Sequence, residues 1–235
     1  MRESVGPRFS SIEAVSFFEP PPAPPEPPPA ERWEPLAWEG PPEAVLGAVV
    51  PLELLLARSQ MAAVAIGSAT AYRTGFEFTV ELRLREDRQD RVWMGPPWEH
   101  RRTQSGELPD DLFRVGVQFE DGSKATTLDT GLSGTFVGPR GGVVDYSSGG
   151  TIGAVEGEGP EEQEVPDSPV LVPRGGGGGM RHWSESLWLW PLPPEGRLSF
   201  VCEWPAFGIA LTRADVDAAP IRDAAARSRT LWDDG

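Results

Sequence analysis

The sequence predicts a mainly β protein: an antiparallel β-sandwich, Ig-like or jelly-roll-like, with a C-terminal α-helix and a disordered Pro-rich N-terminal tail. Three observations lead there. Stretches of two-residue alternation, apolar on one side and polar on the other, recur along the chain without helical patterns between them. An Asp-Gly pair, the strongest short hairpin signal, follows one of these stretches directly. The 27 glycines and 26 prolines make up close to a quarter of the 235 residues, and the hydrophobic share is only 39%. A core of about 130 residues with long polar attachments fits that composition, and such a core buries about two-thirds of its surface.

Residues 1–42 read as the tail. Pro occupies eight of the ten positions from Pro20 to Pro29, which fixes φ and removes donors, so this run should be polyproline II. The same 42 residues carry seven glutamates against three arginines. Trp33 and Trp38 interrupt them, either packing on the domain or forming a short docking motif.

The sandwich is expected over 43–210. Val49–Ala57 and Met61–Tyr72 are compatible with strand or helix, and Pro51 marks the former as an edge strand if it is a strand. From Phe76 to Arg85, apolar Phe76, Phe78, Val80, Leu82 and Leu84 alternate with Glu77, Thr79, Glu81, Arg83 and Arg85, which specifies a half-buried strand. Phe113, Val115, Val117 and Phe119 repeat the pattern, Asp121–Gly122 turns the chain, and a return strand is expected to Leu128. The intervals 86–111 and 131–168 read as long loops. The second ends in six acidic residues between Glu156 and Asp167 without a basic partner, a self-repelling run expected to be mobile. Val170–Val172 reads as a short strand and Gly175–Gly179 as a flexible loop. His182–Pro191 and Leu198–Trp204 read as a hairpin joined by Leu192-Pro-Pro-Glu-Gly. The first has apolar residues on both faces near its end, as a central strand would. Residues 211–235 are expected to form the helix, with Thr212–Asp215 as its N-cap, Pro220 in its first turn and Ile221, Ala224, Ala225, Leu231 and Trp232 on its apolar stripe.

Charge and composition narrow the function. A formal net charge of −15 repels nucleic acid and anionic membranes. One cysteine permits neither an internal disulfide nor a thiolate metal site. The opening residues lack the apolar core of a secretory signal, so a cytoplasmic protein is expected. Lys124 is the single lysine beside 20 arginines and asparagine is absent, which points to a GC-rich genome.

No catalytic constellation stands out. Gly175–Gly179 lacks the helix start, Lys and Ser/Thr of a phosphate loop. Cys202 and His182 have the types of a nucleophile and its base, but Cys202 alternates in step with Phe200 and Trp204, which predicts a buried, inert thiol. Asp110, Asp111, Glu120 and Asp121 have the types needed for glycoside chemistry, but their positions are those of turn residues. No metal ligand set and no cofactor motif is found.

The nine tryptophans carry the best functional hint. Trp188, Trp190, Trp204 and Trp232 suffice for a core. Trp93 and Trp98, set among Gly95, Pro96 and Pro97 with Arg88, Arg91, Arg101 and Arg102, read as the anchors of a binding surface. The expectation is a non-catalytic module for protein interaction or assembly, binding a protein partner or a second copy of itself and neither nucleic acid nor membrane. The alternative is a hydrolase, or a small-ligand or carbohydrate binder, with a site built from the 86–111 and 174–182 loops.

Overall fold

The computed structural model describes residues 36–86, 108–128 and 165–232, with the backbone of the short strands Thr135–Val137 and Val143–Asp145. Its strands run in chain order as β1 (Val45–Leu46), β2 (Ala48–Arg58), β3 (Ala62–Ala71), β4 (Phe76–Leu84), β5 (Arg114–Gln118), β6 (Lys124–Thr126), β7 (Thr135–Val137), β8 (Val143–Asp145), β9 (Val170–Gly179), β10 (His182–Trp190), β11 (Arg197–Trp204), β12 (Ile209–Asp217) and β13 (Arg229–Thr230). One α-helix, α1 (Ala219–Arg227), lies between the last two.

Two antiparallel sheets form the sandwich. The first has the order β2-β3-β4-β10-β9, the second β12-β11-β5-β6. The inward residues of β4 (Phe76, Phe78, Val80, Leu82) meet those of β11 (Leu198, Phe200, Cys202, Trp204) in one continuous core. Phe78 and Phe200 join the two layers edge to face, with ring centroids 5.1 Å apart. Helix α1 covers β2 and β3 with Ile221, Ala224 and Ala225. β1 and β13 pair as a two-residue ribbon, and β7 pairs with β8 inside the interval read as a loop.

The alternating segments fold as expected: β4, β5 and the Asp121–Gly122 turn into β6 appear where the pattern put them. Both ambiguous segments are strands, and β2, which carries Pro51, is an edge strand. Four readings are corrected. β10 and β11 are not a hairpin: β10 pairs with β4 and β9, and β11 with β5 and β12. Alternation reports which face a residue takes but not its partner strand, and the connection through Pro191, Pro193 and Pro194 carries the chain from one sheet to the other. Thr212–Asp215 is not an N-cap, so the helical region does not begin at 211. These residues lie in β12, where Thr212, Ala214 and Val216 are half-buried against exposed Arg213, Asp215 and Asp217, and pairing with β11 overrides the local capping signal. Trp232 is not core but 71% exposed, because the helix ends at Arg227. Residues 36–42, read with the tail, contact the sandwich: the Trp188 indole N–H donates to Ala37 O (3.1 Å), and Trp38 meets Trp190 edge to face. Among the described residues no helix is long and apolar enough to cross a membrane, a statement that does not extend to strands.

Candidate functional site

The fifth reading to be corrected defines the site. The interval 174–182 is not a loop. Gly175–Gly179 is the outer half of β9, paired with Ser186–His182 of β10, and β9 is the edge of the five-stranded sheet. The strand is anchored at its first half, where Leu171 and Val172 are buried. The five glycines that follow are all exposed.

Five glycines in a strand are entropically costly, roughly 0.5–1 kcal/mol each against alanine. Close approach explains two of them. A Cβ on Gly176 would collide with Glu185 Oε2 and Ser184 O, and one on Gly178 with the backbone of His182 and Trp183. Gly175 takes φ +130° at a bulge, where the pairing with β10 shifts between Ser186 and Leu187. Gly177 and Gly179 face open space.

Glu185 is the unusual group. β10 pairs Trp183, Glu185, Leu187 and Leu189 with Leu82, Val80, Phe78 and Phe76 of β4, so Glu185 stands on the core face and is only 3% exposed. Its Oε1 accepts from Gly175 N–H (3.2 Å) and its Oε2 from the Trp183 indole N–H (3.4 Å). Burial pushes its carboxyl up to about 7, against the opposing pull of those two donors. His182, on the outer face opposite Arg83, has a buried Nε2 without a hydrogen-bond partner.

The outer face beside the edge is closed by the 36–42 segment. Arg174 donates to Glu39 O (3.0 Å), and its guanidinium occupies the space a Cβ on Gly40 would take. Glu77, which pairs with Trp188 across the sheet, has its carboxyl raised by burial and partly lowered by Arg174. Tyr72, edge to face with Trp188, is raised by burial and then by Glu77.

The outer face of the second sheet carries a shallow trough of about 190 Å³ over Gly116, rimmed by Leu108, Leu128 and Leu211. Its two lining charges, Arg114 and Glu203, pair with each other. Arg114 donates to Glu203 (2.6 Å) and to the carbonyls of Leu108 and Pro109, and Arg213 to Gln118 (2.6 Å). These residues hold the sheet and the start of β5.

The residues singled out from sequence fare unevenly. Trp93, Trp98, Arg88, Arg91, Arg101 and Arg102 lie outside the described residues. Cys202 is 1% exposed and burial pushes its thiol up to about 12, so it is a core residue. Cys202 and His182 stand on different sheets. Asp121 accepts from the N–H and hydroxyl of Ser123, which holds its carboxyl below the usual range, and Glu120 accepts from Arg197 N–H (2.9 Å); both serve turns. Among the described residues no cluster of three His, Cys, Asp or Glu gathers.

Glu185 was missed, although its signal is present. It falls in step with Trp183, Leu187 and Leu189, so alternation alone puts a carboxyl on the apolar face. Compared with family models, with curated proteins and with solved structures, the chain finds no match.

Proposed function

We propose that this protein is a non-catalytic interaction module that takes an extended segment of a partner protein, or of a second copy, as an added strand along β9. One observation carries the reading: the five-stranded sheet ends in five consecutive exposed glycines. An unpaired edge offers a row of backbone donors and acceptors, and proteins normally guard such rows with charge, proline or bulges. Here, among the described residues, no side chain stands between the edge backbone and an incoming strand, which suits strand addition. About five added hydrogen bonds at roughly 1 kcal/mol net each contribute on the order of 5 kcal/mol, much of it offset by the cost of ordering the segment. Tighter binding requires side chains of the partner reaching past the glycines to Trp183, Ser184 and Ser186.

The chain between β4 and β5 leaves the sheet beside this edge: Leu84 N–H donates to Arg181 O (2.8 Å), and Arg181 donates to Arg85 O (3.4 Å). The same reading keeps Trp93 and Trp98, among Arg88, Arg91, Arg101 and Arg102, as proposed anchors for the partner.

The test is a screen of extended synthetic heptapeptides by fluorescence polarisation against the full chain and against the double variant Gly177→Lys/Gly179→Lys. Both positions face open space, so the variant keeps the fold while placing charge on the edge. Peptides that bind the native chain and lose at least tenfold on the variant support the reading. Peptides that bind both alike, or a screen that yields none, overturn it.

A further inference from the structure

We infer that Glu185 is a proton-operated latch on the glycine edge: its buried carboxyl fills the space over Gly176 and is accommodated there in its neutral form, and its ionisation, through the hydration it lacks, releases Gly175–Gly179 from β10. The inference rests on the reading of β9 as the docking strand and names how that site is regulated.

The geometry sets the direction. Glu185 is nearly fully buried, and both of its hydrogen-bond partners are neutral N–H donors. Among the described residues no charged side chain faces it. Across β4 lies Val80, then Ile66 of β3 and Leu54 of β2; across β9 lies Gly176. Glu81, Arg83 and His182 stand on the opposite face of the sheet, and Arg174 is bonded to Glu39 O on that outer side. Lys124 of β6, which approaches β9, is exposed and pairs with Gln118 across the second sheet. A carboxylate in such a place lacks the cation that would compensate its lost hydration. It regains water by opening toward whichever neighbour resists least. On one side are the packed inward residues of β4. On the other are five glycines that contribute no side-chain packing, hinged at Gly175. The opening is therefore toward the edge.

The proton bookkeeping follows. With the segment latched, the Glu185 carboxyl titrates near 7; released into water it returns toward its ordinary 4.5. Below 4.5 both forms are protonated and the latch is at full strength. Between 4.5 and 7 the released form is ionised and the latched form is not, so release gains up to tenfold per pH unit. Above 7 both are ionised and the loss is complete, roughly three-hundredfold in all. An added strand covers the latched form, so docking takes up a proton in the same window and weakens as pH rises through it.

Residue-resolved hydrogen exchange on the full chain, with selective ¹⁵N-glycine labelling and correction for intrinsic exchange, tests this without any partner. Gly175 N–H, the direct bond to Glu185, is the main reporter. The native chain should lose ten- to three-hundredfold in protection at Gly175–Gly179 between pH 4.5 and pH 8, and Glu185→Gln should keep its low-pH protection throughout. Protection independent of pH in the native chain, or the same loss in Glu185→Gln, overturns the latch. If Glu185→Gln does not fold, the Trp183 indole resonance of the native chain decides: a midpoint near 7 supports the latch, and one at 4.5 or below overturns it. A failure here leaves strand docking standing, whereas peptides that bind the native chain and the Gly177→Lys/Gly179→Lys variant equally remove docking and leave the latch.

Discussion

The two edges of the five-stranded sheet are built by opposite rules. On β2, Pro51 removes a backbone donor, Glu53 sits at φ +47°, and the pairing with β3 shifts twice, between Pro51 and Leu54 and between Leu55 and Ala57. Helix α1 packs against the same strand. Each feature makes the edge irregular, which blocks another strand from continuing the ladder. On β9 the outer half is five glycines in regular register with β10 beyond the single bulge at Gly175. The contrast is that the sheet guards its first edge by proline and bulges while its last, among the described residues, carries neither proline nor charge over Gly175–Gly179. Glycine at Gly176 and Gly178 is imposed by the carboxyl and backbone beneath, but at Gly177 and Gly179 nothing in the fold demands it.

Substitutions that break this contrast should fall in a definite order. The largest effect is expected at Gly176. Gly176→Val drives side-chain atoms into Ser184 O and Glu185, and should cost on the order of 3 kcal/mol in thermal unfolding, whereas Gly177→Val should stay within about 0.5 kcal/mol. Equal effects at the two positions would mean that the inner and outer faces of β9 are wrongly assigned.

Glu185→Gln comes next. Its raised carboxyl makes the native protein strongest below pH 4.5 and weakens it as pH rises through about 7. The variant should therefore match the native chain near pH 4.5 and exceed it by up to about 3 kcal/mol at pH 8 in denaturant titrations, less any contribution of water reaching the carboxylate. A variant weaker at pH 8 would show that the charged form is the stabilising one.

Trp38→Ala removes the edge-to-face contact with Trp190 and loosens the segment that accepts from Trp188 and Arg174. A loss of about 1 kcal/mol is expected, read by melting and by the fluorescence of Trp188. Smallest of all, Pro51→Thr restores a donor to β2. Stability should change by less than about 0.5 kcal/mol. Concentration-dependent association should rise if proline guards that edge, and sedimentation velocity reads it.

What the sequence disclosed, and what it withheld, follows the range of the interactions. β4 and the β5–β6 hairpin were legible because their signals are local: Phe76–Arg85 alternates without a break, and Asp121–Gly122 fixes the turn. The pairing of β10 with β4 was not legible, since it is decided by core filling over about a hundred residues of chain, whereas β9 joins β10 locally through Met180 and Arg181 and was hidden by its glycines. β12 was misread because Thr212-Arg-Ala-Asp215 satisfies a helix-capping pattern locally while its alternation satisfies a strand, and only the neighbouring β11 chooses between them. The candidate site was half visible. The glycine run is plain in the sequence but reads as a loop, because glycine's propensity argues against a strand and gives no weight to a neighbour that occupies the space of its missing Cβ. The buried Glu185 was disclosed by parity alone.

The central claim, that β9 is the open edge and β2 the closed one, is tested most directly by mapping where a captured strand lands. Hydrogen exchange would be followed residue by residue in the full chain, free and saturated with a binding heptapeptide. New protection concentrated at Gly175–Gly179, with the amides of Ala48–Arg58 unchanged, is the predicted result. Protection appearing along β2, or on the outer face of the second sheet, with the glycine amides unaffected, would contradict it.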